Sequence, residues 1–164
     1  MRPAPYPTAD VRAVPAPAPV RQAFRILHVG FAMLPILAGI DKFTHLLVNW
    51  DQYLAPTIVR LLPVDGHAFM SIVGIIEIIA GVFVAIAPRF GGYVVAAWLW
   101  GIIANLLLIP GYFDIALRDF VLSLGALALS RLAAGMYAFE TRQISLRYGR
   151  VPARRAVFEP SHPV

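Results

Sequence analysis

The first candidate for chemistry is Glu77, the only acid in an apolar run over residues 68–87 that contains no lysine, arginine or histidine. An ionised carboxylate at the centre of a bilayer costs about 2.5 kcal/mol or more, so this side chain must face protein or be protonated. A protonated carboxyl group donates as well as accepts a hydrogen bond. That chemistry suits a bond between helices, recognition of the polar head of a small apolar ligand such as a quinone, or a proton relay.

The residues on either side of Glu77 in the sequence predict that its side chain faces another helix. Gly74 and Gly81 lie three residues before and four after it, which places all three on one helical face where another helix can approach closely. We predict that Asn105 is its partner and that the pair either joins two helices or binds a ligand head. Asn105 continues a stripe of small residues at four-residue spacing on a later helix, Ala97 and Gly101.

A second cluster of charges is predicted where the first and fourth apolar segments meet. Asp41 and Lys42 close the first segment, and Arg118 and Asp119 open the fourth. We expect a crossed set of ion pairs, since the planar guanidinium of an arginine binds a carboxylate through two bonds. This cluster is interpreted either as a network that fixes helix register or as an electropositive mouth for an acidic or carbonyl-bearing ligand, lined in part by Tyr112.

The histidines do not favour a haem between helices, because His28 alone lies inside an apolar segment and two facing histidines are required. His45 and His67 belong to the long connection after the first segment, where they could meet as a proton carrier or a weak metal site. Solvated or core histidines are the commoner case. We therefore assign no metal ligand from the sequence.

The elements that must position these residues are membrane helices. The chain has 164 residues, is 59% hydrophobic and only 14% charged. A helix of about 20 apolar residues crosses the hydrocarbon layer, and continuous apolarity favours helices over a barrel. We predict an all-α polytopic protein whose four-transmembrane-helix bundle occupies residues 23–138, with crossings at roughly 24–40, 68–87, 93–109 and 116–136. Cysteine is absent, which excludes thiol redox chemistry and thiolate metal sites.

The segments outside the crossings carry the topology signals. Residues 1–22 are predicted to be an extended proline-rich tail, and residues 139–164 a short interfacial helix followed by a basic tail. Arginines collect at both ends and at Arg89, so we expect both termini in the cytoplasm. The outer connection, residues 41–67, should form an interfacial helix near Pro56 that caps the bundle. Nucleic acid is not an expected partner.

Three motifs resemble the DoxX-like family of four-helix integral membrane proteins. They are GIDKF at residues 39–43, GIIEIIAGVFVAIAPRFGGY at 74–93 and LRDFVLSLGALAL at 117–129, within a resemblance that spans roughly residues 25–132. The resemblance implies a four-helix bundle and an association with membrane oxidoreductases. It singles out the motif residues Lys42, Glu77, Arg89, Arg118 and Asp119.

The expected function is that of a small integral subunit of a membrane oxidoreductase system, with quinone as the candidate bound cofactor and no covalent cofactor or assigned catalytic residue. Its expected partners are the lipid bilayer and other membrane or membrane-associated subunits, and its expected location is a bacterial inner membrane. The alternative from another class is a structural or assembly subunit without ligand chemistry. A carrier of protons or small solutes is the third interpretation.

Overall fold

The fold was taken from a computed structural model that describes residues 16–148, with side chains through Phe139 and at Thr141. This part of the chain is all-helical. The elements are α1 (Ala18–Thr44), a 3-10 turn (Trp50–Tyr53), α2 (Pro56–Val59), α3 (Gly66–Ile86), α4 (Pro88–Leu106) and α5 (Phe113–Tyr148).

Three helices are long and apolar enough to cross a bilayer: Ala18–Thr44, Gly66–Ile86 and the first 27 residues of α5, Phe113–Phe139. Their outward faces carry exposed aliphatic side chains such as Ile26, Ile79 and Val121. Lipid is the environment in which such surfaces are stable, so the chain is an integral membrane protein. Helix α4 has 19 residues but includes Arg89 and Asn105, which lower its hydropathy.

The ends of the helices differ from the sequence predictions. Helix α1 begins at Ala18, inside the predicted tail, because Pro19 occupies the first turn, where a missing N–H leaves no hydrogen bond unmade. Helix α5 continues without a break to Tyr148, so the separate interfacial helix expected after residue 138 is not observed. The rest of both predicted tails lies outside the described residues.

The connection between α1 and α3 contains two short helical pieces in place of the single interfacial helix that we expected. Pro56 starts α2 at its first turn, as predicted, but α2 is only four residues long. Leu54 and Ala55 are buried, so the connection turns inward against the bundle. It ends at Asp65, whose carboxylate accepts a hydrogen bond from the backbone N–H of Ala68 at 2.9 Å and caps α3. That bond holds the pKa of Asp65 below its ordinary value.

The helices pack as two close pairs, α1 with α3 and α4 with α5, with fewer contacts between the pairs. Glycines make the α1–α3 approach possible, as the spacing of Gly74 and Gly81 predicts. A Cβ atom at Gly39 would lie 2.5 Å from the carbonyl oxygen of Gly74, and one at Gly81 would lie 2.6 Å from that of Ala32. Backbones this close leave no room for a side chain.

The Gly39 crossing can be tested against Gly30, a second glycine of α1, where an added Cβ atom would meet no atom of the described residues within 4 Å. Gly39→Ala should lower the free energy of unfolding in mixed micelles by about 1–3 kcal/mol, because the methyl group separates two backbones. Gly30→Ala should leave it unchanged or raise it by up to about 1 kcal/mol through helix propensity. Equal effects of the two substitutions would contradict this packing.

Candidate functional site: a cavity between two helix pairs

A cavity of about 550 Å³ lies where the two helix pairs face each other. Its size falls within the range of small-molecule sites, about 300–1,000 Å³. Its walls come from α1, α3, α4, α5 and the connection that follows α1, and most of the lining side chains are apolar, for example Phe31, Val73 and Leu99. Polar groups are few: Lys42, Glu77, Trp98, Asn105, Arg118, Asp119 and the aromatic residues of the connection, Trp50 and Tyr53.

Glu77 faces the protein interior, as the sequence predicts, but its partner is Lys42 and not Asn105. The ammonium Nζ of Lys42 donates to Oε2 of Glu77 at 2.5 Å. The side chains are only 2% and 8% exposed. Glu77 lies one turn after Gly74, and Lys42 lies three residues after Gly39 on the facing helix. The glycine crossing therefore brings the two charged side chains together.

Trp50 completes the surroundings of Lys42. The Nζ atom lies 3.8 Å from the centroid of the indole ring, which is a cation–π contact. The indole Nε1 of Trp50 donates to Oδ2 of Asp41 at 2.7 Å. Asp41 also accepts from the backbone N–H groups of Leu46 and Leu47, at 2.9 and 3.0 Å. Asp41 thus shapes the chain that leaves α1 and holds Trp50 over the buried ammonium.

Asn105 ties the connection to α4. Its Nδ2 donates to the carbonyl oxygen of Tyr53 at 2.5 Å, and its Oδ1 accepts from the backbone N–H of Ala55 at 2.9 Å. The predicted pair of Asn105 with Glu77 is wrong, because the amide group of Asn105 is hydrogen-bonded to backbone groups of the connection instead. Ala97 and Gly101 do not form a close helix contact either. Both are exposed, and a Cβ atom added at Gly101 would have no neighbour within 4 Å in the described part of the chain.

The predicted crossed ion pairs between the first and last helices do not form. Arg118 pairs with Asp114 one turn earlier on its own helix, at 3.1 Å, and both side chains are mostly exposed. Such an exposed pair contributes little stability. Asp119 is partly buried and lines the cavity together with Lys42 and Glu77. Of the four charged residues in the predicted cluster, Lys42, Arg118 and Asp119 thus share this cavity.

Two of the seven predicted site residues do not line the cavity. Tyr112 packs edge-on against Tyr53, with ring centroids 5.2 Å apart, and its hydroxyl lies 3.5 Å from Oε1 of Gln52. Asp41 accepts a hydrogen bond from the indole of Trp50, and Trp50 lines the cavity. Arg89, which the resemblance noted in the sequence singles out, is exposed, with its guanidinium carbon 5.3 Å from the ring centroid of Phe90.

Trp98 is a cavity residue that sequence reasoning missed. It lies on α4, and its indole Nε1 is buried without a hydrogen-bond partner among residues 16–148. A buried N–H without a partner is destabilising, and such groups are uncommon in native proteins. The sequence signal was weak, because a tryptophan in an apolar helix is also typical of a lipid-facing position.

The wall of the cavity therefore combines two kinds of polar group. Lys42, Glu77 and Asn105 are already paired within the protein. The indole N–H of Trp98 has no hydrogen-bond partner within the described part of the chain, and the carboxyl group of Asp119 is a further polar group of the lining. An apolar molecule with a hydrogen-bonding head fits such a lining.

Comparison of the sequence with protein-family models, with curated proteins and with solved structures finds no match.

Proposed function

We propose that the protein binds a lipophilic ligand with a carbonyl-bearing head, a quinone, in the cavity between its helix pairs, as a small subunit of a membrane oxidoreductase system. The observation that carries the proposal is a mainly apolar cavity of about 550 Å³ lined by Trp98, whose buried indole N–H has no hydrogen-bond partner in the described part of the chain. A quinone carbonyl accepts a hydrogen bond, and its ring and tail match apolar walls.

The charged groups give the cavity a polar side. Lys42, Glu77 and Asp119 come from three different helices and all line the cavity. A carboxyl group near a bound quinone is a means of exchanging protons with it. We assign Asp119 this role ahead of Glu77, because the Glu77 carboxylate is already engaged by the ammonium of Lys42.

The proposed setting follows from the topology signals. We propose that α4 is a fourth crossing, that both termini are cytoplasmic, and that the protein resides in a bacterial inner membrane beside other membrane or membrane-associated subunits. The apolar length of α4 and the arginines at both ends of the chain support this arrangement. The resemblance of the GIDKF and LRDF motifs to DoxX-like proteins is consistent with it.

A structural or assembly role is the second candidate, and one observation favours it. Three of the polar residues on the cavity wall, Lys42, Glu77 and Asn105, already have protein partners. Groups that are satisfied in this way can hold helices together without any ligand. Under this proposal the cavity is a packing defect between two helix pairs, and the apolar outer faces contact other subunits.

The ligand proposal can be tested by filling the cavity. Gly101 lines it, and a Cβ atom added there would meet no atom of the described residues within 4 Å, so Gly101→Leu should occupy the space without displacing the backbone. Titration with decylubiquinone should quench tryptophan fluorescence of the wild-type protein to saturation. Gly101→Leu should weaken this binding by about 10-fold or more, because its side chain takes up volume that the ligand needs. Trp98→Phe should weaken it by about 3- to 10-fold through loss of one hydrogen bond.

Gly30→Leu is the matched control, since this glycine is equally uncrowded but lies outside the cavity. It should bind decylubiquinone like the wild type. Linear quenching that never saturates, or equal affinity in Gly101→Leu and Gly30→Leu, would reject binding in the cavity. That result would favour the structural role.

The topology can be tested by cysteine labelling, because the chain has no cysteine of its own. Thr57→Cys, Asp114→Cys and Arg89→Cys each replace an exposed side chain. In intact bacterial cells a membrane-impermeant maleimide should label residues 57 and 114 and should reach residue 89 only after lysis. Protection of residue 114 together with residue 89 would contradict the fourth crossing.

A further inference from the structure

Three potential metal ligands converge in the connection between α1 and α3, away from the cavity wall. His45 follows the last residue of α1, Asp51 lies in the 3-10 turn, and His67 is the second residue of α3. One ligand atom from each side chain can be chosen so that all three lie within 4.8 Å of one another. The sequence predicts that the two histidines could meet, but it does not predict that Asp51 joins them.

The geometry of the three side chains is already close to that of a coordination site. Nδ1 of His67 lies 3.2 Å from Oδ2 of Asp51. The imidazole rings of His45 and His67 stack with centroids 5.4 Å apart and planes inclined by 20°. Two parallel imidazoles beside a carboxylate present several lone pairs in one small volume when the histidines are neutral.

An independent observation also points to a bound cation. The second carboxylate oxygen of Asp51, Oδ1, is buried and has no hydrogen-bond partner among residues 16–148. A buried acceptor that is left unpaired costs stability, and the cost is larger for a charged group. His67 engages only Oδ2, so the carboxylate has unused capacity on the side that is closed to water.

The backbone at His45 is consistent with a required side-chain position. His45 has φ 51° and ψ 33°, a left-handed conformation at the C-terminus of α1. Glycine adopts this conformation without strain and is the usual residue at such helix ends. A histidine at this position carries a conformational cost but places an imidazole over His67.

We propose that His45, Asp51 and His67 bind a divalent transition metal ion, for which Zn²⁺ is the reference. Imidazole and carboxylate ligands suit Zn²⁺ and its neighbours in the first transition row. Three protein ligands and one water are typical of an open zinc site. Zn–N distances of about 2.0–2.1 Å separate tetrahedral ligand atoms by about 3.4 Å. Nδ1 of His67 and Oδ2 of Asp51, 3.2 Å apart, are close to this spacing. Side-chain rotation would be needed to bring a ligand atom of His45, now within 4.8 Å of the other two, to the same distance.

The metal would join the end of α1 to the start of α3 through the 3-10 turn. Trp50, next to Asp51, covers the buried ammonium of Lys42. Bound metal would therefore fix the segment that closes one side of the cavity. This site does not depend on the proposed quinone binding, because none of its three ligands lines the cavity.

The proposal is tested by calorimetric titration of the full chain with Zn²⁺ in detergent near neutral pH, without a histidine tag. The wild type should bind one ion per chain with a micromolar dissociation constant. His67→Ala and Asp51→Asn should each weaken binding by about 10-fold or more, since each removes one of three ligands. The side chain of His67 is 62% exposed, so its truncation should leave folding intact.

Two histidine variants outside the site serve as controls. His28 lies within hydrogen-bond distance of the carbonyl oxygens of Val84 and Ala85, so His28→Gln should bind Zn²⁺ like the wild type. His162→Ala, in the C-terminal tail, should also bind Zn²⁺ like the wild type. Zn²⁺ should also raise the midpoint of thermal unfolding of the wild type and the controls but not of His67→Ala. Absence of stoichiometric binding, or equal affinity in wild type, His67→Ala and Asp51→Asn, would overturn the proposal. Loss of the site in His162→Ala alone would also overturn it.

Discussion

The buried ammonium of Lys42 imposes the strictest physical constraint on this protein. A charge that is removed from water is tolerated only with a well-placed counter-charge, and Glu77 supplies it from the facing helix at 2.5 Å. The indole of Trp50 adds a second favourable contact. Both charges can meet only because Gly39 and Gly74 let α1 and α3 approach at backbone distance. The register of these two helices and the position of the ion pair therefore determine each other.

The cavity follows from the same arrangement. Helices α1 and α3 form one tight pair and α4 and α5 another, so the looser contact between the pairs leaves space. The connection after α1 closes this space and is held by partly buried hydrogen bonds at two points. Asp41 binds the indole of Trp50, and Asn105 binds backbone groups of Tyr53 and Ala55. A bundle so constructed offers a lipophilic ligand apolar walls and a few polar groups.

The sequence predicted the parts of the structure that depend on local patterns. Apolar runs located the long helices, and the spacing of Gly74, Glu77 and Gly81 gave the face that meets α1. Partner choice was not predictable from the same signals, because it depends on how the helices are arranged around one another. Lys42 looked like an outer-end charge for Asp119, but the α1–α3 crossing turns it toward Glu77. Asn105 was predicted to make a helix contact. It instead forms hydrogen bonds with the backbone of the irregular connection, whose N–H and C=O groups need partners.

The central claim is that Lys42 and Glu77 stabilise the fold only as a pair, and a double-mutant cycle tests it most directly. The free energy of unfolding in mixed micelles would be measured for Lys42→Met, Glu77→Gln and the double variant. The free energy of unfolding of each single variant should be lower by about 3–5 kcal/mol, since each leaves a buried charge without its counter-charge. The double variant should be destabilised by clearly less than the sum of the two single losses. Additive losses, or single variants as stable as the wild type, would contradict the account.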